Sequence, residues 1–358
     1  MADKKDRVVV AMSGGVDSSV AAALLLQQGY EVIGMMMRLW SEPGKEAGNR
    51  CCTPDSMALA RRVAARLGIP FYAVDAQDYF HDTVVEYFVA GYTSGVTPNP
   101  CLVCNRHVRW EFLLNRALSL GARYMATGHY ARVGWADPPG EFVLSQAVDS
   151  SKDQSYILHV LGQEQLAHAL FPLGGYTKVE VRRLAQEFDL PVADRADSQD
   201  LCFLGDGNYR DFLIRNAPQV SDPGPILTSA GEQLGEHRGL AFYTIGQRKG
   251  LGLASPDPLY VLDKDRDRNA LIVGLAEELG KGELIAEKVN WIAGHPPHGP
   301  IRAQVKIRYK ARAVTATVTP LDQEMVQVCF DSPLRDITPG QAAVFYQGDR
   351  LLGGGIIQ

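Results

Sequence analysis

The sequence predicts an α/β chain: a doubly wound parallel sheet over residues 1–205, a small mixed central domain over 206–278 and a C-terminal β-barrel over 279–358. Three observations predict it. Arg7–Gly29 (RVVVAMSGGVDSSVAAALLLQQG) is an apolar run, a glycine turn and an alanine-leucine helix. Strand-like and helix-like runs alternate after it, the pattern that builds parallel sheets. From about residue 280 the pattern changes to short strands of period 2, as in a small barrel.

Val8, Val9 and Val10 are β-branched and contiguous, as a strand buried on both faces requires. Ser13, Gly14 and Gly15 allow a sharp turn with bare backbone; Asp17, Ser18 and Ser19 stand at helix-cap positions, and Gly29 ends the helix. Residues 30–37 predict a second strand, 56–67 a helix, 69–74 a third strand and 80–92 another helix. The segment 95–105 (GVTPNPCLVCN) predicts a proline-stiffened loop before a helix over 107–120, and 124–127 a further strand. Open α/β sheets bind ligands beyond the carboxyl ends of their strands, where residues 13–19, Met37 and 128–130 fall. Residues 142–149 read as an irregular or strand segment, 178–188 as a helix, and 198–205 (SQDLCFLG) as a cysteine-bearing loop. Beyond lie a helix at 209–216 and strands at 305–309, 313–318, 324–330 and 342–346, with turns at Ser332-Pro333 and Pro339-Gly340.

Hydrophobic content of 46% with 22% charged residues is that of an ordinary globular protein. The N-terminal MADKKDR has no apolar signal region and no apolar run approaches about 18 residues, so a cytoplasmic location without membrane contact is expected. A net charge of −5 argues against wholesale nucleic-acid binding and leaves room for a local basic patch. Six cysteines in such a chain suggest chemistry or metal rather than a disulfide framework.

Four motifs carry chemistry. The strand–glycine loop–helix unit offers unpaired N–H groups and a positive helix end to phosphate. It lacks the lysine of a Walker A loop and is not GxGxxG; it matches SGGxDS, the PP-loop of enzymes that adenylylate a substrate and release pyrophosphate. Cys101 and Cys104 are spaced C-x-x-C with His107 three residues on, and Cys202 lies about a hundred residues away. That set is open to persulfide sulfur transfer, a three-cysteine 4Fe–4S cluster, a zinc site or ordinary thiols, while the surroundings do not read as the thioredoxin-like unit of a redox dithiol. Cys51, Cys52 and Cys329 have no partner pattern and read as structural. In VKIRYKAR, Lys306, Arg308, Lys310 and Arg312 alternate, which predicts one basic strand face suited to a polynucleotide backbone or simply to solvent. Arg248 and Lys249 in GQRKGLG and the polar turn Lys152-Asp153-Gln154 could equally touch a ligand or water.

Together the strings AMSGGVDSS, TPNPCLVCN, ATGHYAR, SKDQSYIL, DSQDLCFLG, YTIGQRKGLGL and TPGQ, in this order, resemble the tRNA-specific 2-thiouridylases, the MnmA family, over essentially the whole chain. The resemblance implies a PP-loop, Rossmann-like domain that binds ATP through Ala11, Met12, Ser13, Gly14, Gly15, Val16, Asp17 and Ser18. Met37 and Gly128 would contact the adenosine part. It implies 2-thiolation of the wobble uridine of tRNAs for Lys, Glu and Gln, by adenylylation of O2 and displacement by sulfur, giving AMP and pyrophosphate. Cys202 matches the persulfide carrier, loaded by a cysteine desulfurase or sulfur-relay protein. Cys104 matches the second catalytic cysteine, which releases that sulfur and can pair with Cys202 as a disulfide. Asn99, Pro100 and Cys101 match the triplet against the target base. His129, Lys152, Asp153, Gln154, Arg308, Tyr309 and Gln341 match tRNA-contacting positions. Mg²⁺ would bridge the phosphates, with Asp17 either near that metal or a simple helix cap.

One departure matters. Cys101 stands where many members have Asp, so Cys101, Cys104 and Cys202 become candidate ligands of a 4Fe–4S cluster. A monomer is expected. Two other readings are a PP-loop amide ligase, for which no ammonia route is evident, and a zinc-stabilised RNA-binding protein.

Overall fold

The structure is a computed structural model and describes residues 5–45, 53–138, 140–196, 201–204 and 208–358. Cys51, Cys52, the Ser198–Asp200 part and Gly205 of the cysteine-bearing loop, and the expected domain boundary at 205/206 lie outside the described residues.

β1 (Arg7–Ala11), β2 (Glu31–Arg38), β3 (Phe71–Asp75) and β4 (Tyr124–Ala126) are parallel strands of one sheet. β5 (Ala131–Ala136) and β6 (Glu141–Gln146) form a hairpin outside it, and β7 (Ala169–Leu170) completes the order β3-β2-β1-β4-β7. The valine run explains the layering. Val8 and Val10 enter the core on one face, with the helix Val16–Gln27, while Val9 enters the core on the other. A strand covered on both faces has no use for polar alternation. Because β2 and β4 flank β1, the winding reverses there and a crevice opens beyond Ala11 and Ala126.

β8 (Gly224–Thr228), β9 (Gln233–His237), β10 (Tyr260–Asp265) and β11 (Ala270–Gly274) make a four-stranded sheet in the order β10-β11-β8-β9. β12 (Lys281–Trp291), β13 (Ile301–Lys306), β14 (Val314–Pro320), β15 (Val326–Leu334), β16 (Ala342–Gln347) and β17 (Arg350–Ile357) form an antiparallel barrel closed by a β12–β17 pairing. The hairpin ties the first layer to this barrel, since β6 pairs with β17 through Leu144 and Leu351. An Arg350–Glu141 ion pair and an Arg132–Asp349 bond of 2.5 Å reinforce the joint.

Several expectations need correction. The segment 95–105 is not loop throughout: a helical run begins at Pro100, through Pro100–Val103 into a π-helical Cys104–Leu113. Asn99 caps it by accepting from the Cys101 amide at 3.2 Å, and Pro100 occupies the first helical position, where a missing N–H costs nothing. The cap of the first helix is Gly15, so Asp17, Ser18 and Ser19 lie within its first turn. The basic alternation is a strand face only as far as Lys306; residues 307–313 turn away from the sheet. Ser332-Pro333 is not a turn but lies within β15, beside the irregularity in its pairing with β12, where a strand tolerates proline. Residues 141–146 are strand, and Pro339-Gly340 is a turn as expected.

Phe203, the neighbour of Cys202, is clasped by Phe80, Phe88 and Phe212 at ring distances of 6.0, 5.2 and 5.6 Å. We expect Phe203→Ala to lower unfolding free energy by about 3 kcal/mol in chemical denaturation. A loss under about 1 kcal/mol would mean that the ring does not anchor this segment.

Candidate active site

The loop after β1 is braced from within and from both flanks. Met12 donates to the Met35 carbonyl at 2.7 Å, continuing the strand pairing past Ala11. The Ser18 hydroxyl accepts from the Ser13 amide at 3.1 Å and donates to the Gly15 carbonyl at 3.3 Å. Gly14 has φ +70°, and a β-carbon there would run into the Ser56 carbonyl. Arg195 clamps this contact, donating to the Gly14 carbonyl at 2.6 Å and to the Ser56 hydroxyl at 2.8 Å. On the other flank, a β-carbon at Gly128 would stand 2.8 Å from the Ser18 amide nitrogen. The cap residue Gly15 places no side chain over the first turn of the helix. Its amides and positive end therefore suit a phosphate, and the residues fit that group.

Asp17 is neither a cap nor an open carboxylate. Lys178 stands 2.6 and 2.9 Å from its two oxygens, and the Tyr130 hydroxyl donates to it at 2.9 Å. A metal on Asp17 would have to displace an ammonium.

The cysteines approach from a second direction. Cys101 and Cys104 are three residues apart on the helical run that starts at Pro100, hence on one face. Cys104 is buried in an apolar cluster with Phe80, Phe88, Phe203 and Phe212, and the half-buried Cys202 and Met37 pack against the same cluster. His107 faces Glu111 instead, at 2.7 Å. Among the described residues the His/Cys/Asp/Glu group whose ligand atoms lie within 4.8 Å of one another is His81, Asp82 and Glu86, so Cys101, Cys104, His107 and Cys202 form no zinc cage. That spacing speaks to a single ion; the sulfurs around a four-iron cluster stand further apart.

The barrel grips the segment carrying Asn99, Pro100 and Cys101. Thr97 donates to the Pro339 carbonyl at 3.0 Å, and Gln341 donates to the Thr97 carbonyl at 2.8 Å. Gly340, φ +88°, is needed because a side chain would meet the Thr97 backbone. Tyr309 faces the same seam: its hydroxyl is pushed up to about 12, first by burial, then by the charges of Asp153 and Cys101.

Some expected RNA contacts turn inward. Asp153 is buried, accepts from the Ala147 amide at 3.0 Å and the Ser155 hydroxyl at 2.9 Å, and pairs with Lys306 at 3.7 Å. Gln154 accepts from the Tyr130 amide at 3.0 Å, whereas Lys152 is half-buried beside it. His129 is 4% exposed. Arg109, which can only donate, reaches its Nε2 at 3.2 Å, so Nδ1 carries the proton toward Thr127 Oγ1 at 2.8 Å. Burial, then Arg109, holds the ring well below the ordinary histidine range and therefore neutral. Arg308 donates to Thr338 Oγ1 and the Asp336 carbonyl, both at 3.0 Å. Of the basic row, Lys310 and Arg312 are the exposed members; Arg248 and Lys249 are exposed on a turn braced by Gln247.

Sequence reasoning placed Tyr130 at the ligand edge without giving it a role, and missed Lys178, Arg195 and Arg109. None of these three carries a local signal: Lys178 and Asp17 are 161 residues apart.

Three family descriptions match along the chain: a tRNA methyl transferase HUP domain over residues 6–206, a tRNA methyl transferase PRC-barrel domain over 210–275 and an aminomethyltransferase beta-barrel domain over 281–357. The tRNA-specific 2-thiouridylase MnmA of Symbiobacterium thermophilum is 51% identical over 98% of this chain and 92% of its own. That of Moorella thermoacetica is 50% identical over 98% and 99%. Among solved structures, the NMN synthetase of Francisella tularensis aligns over 60% of this chain and 78% of its own, with a TM-score of 0.35 and 18% identity.

We expect Gly14→Ala to weaken ATP binding at least about tenfold in an equilibrium titration, since the new methyl must push the loop off Ser56. Unchanged affinity in that variant would show that the loop's present shape is not what holds the nucleotide.

Proposed function

The chain belongs to the tRNA-specific 2-thiouridylase family, and from that premise we propose that it replaces O2 of the wobble uridine of tRNAs for Lys, Glu and Gln by sulfur, at the expense of ATP. One observation carries the reading. Cys104 and Cys202, distant in sequence, belong to one apolar cluster together with Met37, which stands near the end of the strand beside the phosphate loop. The domain descriptions speak of methyl transfer, but a PP-loop joined to a cysteine pair suits activation followed by thiolation.

A uridine O2 is a poor leaving group. Attack of O2 on the α-phosphorus of ATP expels pyrophosphate and makes it an AMP ester. The amides of residues 14–18 hold the phosphates as charge moves onto the leaving group. Mg²⁺ would accompany ATP and offset phosphate charge, and Asp17, in the first turn of the loop's helix, is the carboxylate that would face it. Cys202 carries the sulfur as a persulfide supplied by a desulfurase or relay protein. The Cys104 thiolate attacks Cys202 Sγ, a Cys104–Cys202 disulfide forms and hydrosulfide leaves. Hydrosulfide adds at C2 and AMP departs. An external thiol then reduces the disulfide.

Asn99, Pro100 and Cys101 lie against the target base, on a segment that the barrel turn at Gln341 fixes. Arg308, Tyr309 and Lys152 line the seam facing tRNA, while His129, Asp153 and Gln154 act from behind by holding that surface in shape. Met37 and Gly128 border the adenosine.

Cys101 supports a second reading of the sulfur step. With Cys104 one turn away and Cys202 on the same cluster, three thiols could hold a 4Fe–4S cluster, which when bound would supply sulfide from its open iron. Iron and sulfide analysis after anaerobic purification separates the two. Iron-free protein fully active with a persulfide donor retains the Cys104–Cys202 route, and Cys101→Ala then keeps most activity.

Mass spectrometry of tRNA nucleosides after incubation with ATP and a sulfur source is expected to show 2-thiouridine. Cys202→Ser is expected to remove it while ATP affinity stays within about twofold. Thiolation that persists in Cys202→Ser would refute the role given to that cysteine.

A further inference from the structure

No Lys or Arg occurs between Ala11 and Gln27, so the phosphate loop and its helix have no cationic side chain of their own. The structure brings one from elsewhere. Lys178 is the first residue of the helix Lys178–Glu187, and its ammonium lies 2.6 and 2.9 Å from the two oxygens of Asp17, inside the loop's first helical turn. Its side chain is 11% exposed, uncommon for a lysine and costly unless the charge is used.

We propose that Lys178 is a nucleotide-binding residue: without nucleotide its ammonium holds Asp17, and when ATP enters it turns to the triphosphate and stays with the departing pyrophosphate. The inference rests on the reading that the loop binds ATP.

The surroundings fit a fixed base with a movable tip. The Lys178 backbone is pinned, its amide donating to Asp149 Oδ2 at 2.9 Å. The preceding Thr177 closes a capping box with Glu180, donating to Glu180 Oε2 through its amide at 2.7 Å and its hydroxyl at 2.8 Å. A lysine carries a compact charge on a four-carbon stem with several rotatable bonds, which suits it to phosphate. Asp17 is not abandoned when the ammonium leaves, because Tyr130 keeps its bond to Oδ1 at 2.9 Å. The electrostatics point the same way. An unopposed carboxylate in the first turn would repel a triphosphate arriving at the helix end, whereas Lys178 first cancels that charge and then opposes the ligand's. The arrangement does for this loop what the lysine inside a Walker A loop does for its own, from a helix far away in sequence.

The test is a charge-removal cycle on the full chain, read as the ATP dissociation constant from equilibrium titration and as KM for ATP in tRNA-dependent pyrophosphate release. Lys178→Met is expected to weaken ATP at least about tenfold, the scale of one charge-assisted contact. Lys178→Arg is expected to recover part of the loss. In Lys178→Met combined with Asp17→Asn neither charge remains unpaired, so this pair keeps the question open to measurement if the single variant folds poorly. The proposal expects the double variant still to bind ATP at least about tenfold more weakly than wild type. A double variant that binds as wild type does would overturn it, reducing Lys178 to a counter-charge for Asp17. So would a well-folded Lys178→Met with unchanged affinity and KM. Wild-type protein that binds no ATP would instead overturn the reading beneath the inference.

Discussion

A side chain on Gly14 would strike the Ser56 carbonyl, and one on Gly128 would stand 2.8 Å from the Ser18 amide, so backbone flanks the phosphate loop on both sides. This close approach is what the rest of the site depends on. It fixes the loop from the start of one neighbouring helix and from the end of β4, and leaves the first-turn amides uncovered. Arg195 adds a clasp on the Gly14 carbonyl. The loop is thus shaped before any ligand arrives, which is how amide donors act with little cost of reorganisation.

The second constraint is the seam between the parallel layer and the barrel. The hairpin β5–β6 gives the two a shared sheet, and the Pro339–Gln341 turn grips Thr97 just ahead of the cysteine helix. Lys306 reaches from the barrel to Asp153, whose other bonds shape the 146–155 segment. Cys101 and Cys104 therefore sit on a helix that is capped by Asn99 and held from the barrel side, while Cys202 is tethered through the aromatic contacts of Phe203. In the proposed reaction the two halves must meet at a single uridine, and the seam is what keeps their spacing constant.

How much of this could be read from the chain follows the range of each interaction. The β1–loop–helix unit was legible because its valine run, glycine turn and helix are contiguous, although Ser56, Gly128 and Arg195, which brace it, are not. So were the barrel strands, whose alternation is local. Lys178, Arg195 and Arg109 were not, because their partners lie far along the chain and nothing near them signals the encounter. The VKIRYKAR row misled for the same reason. Alternating charge reads as a strand face, yet the acids that pair with Lys306 and Arg308, Asp153 and Asp336, come from distant loops, and the sheet ends at Lys306. The dipeptide Asn99-Pro100 did carry a helix-start signal, but the two prolines within GVTPNPC read more strongly as loop. The thiouridylase family was legible from the order of the strings rather than from any one of them.

The most direct measurement of the central claim uses the Cys202→Ser variant and ATP labelled at the α-phosphate. If the loop activates uridine O2 for thiols that act afterwards, label accumulates covalently on tRNA when the sulfur step is blocked, and pyrophosphate is released in equal amount. Label that never leaves ATP for tRNA, in a variant that still binds both, would contradict it.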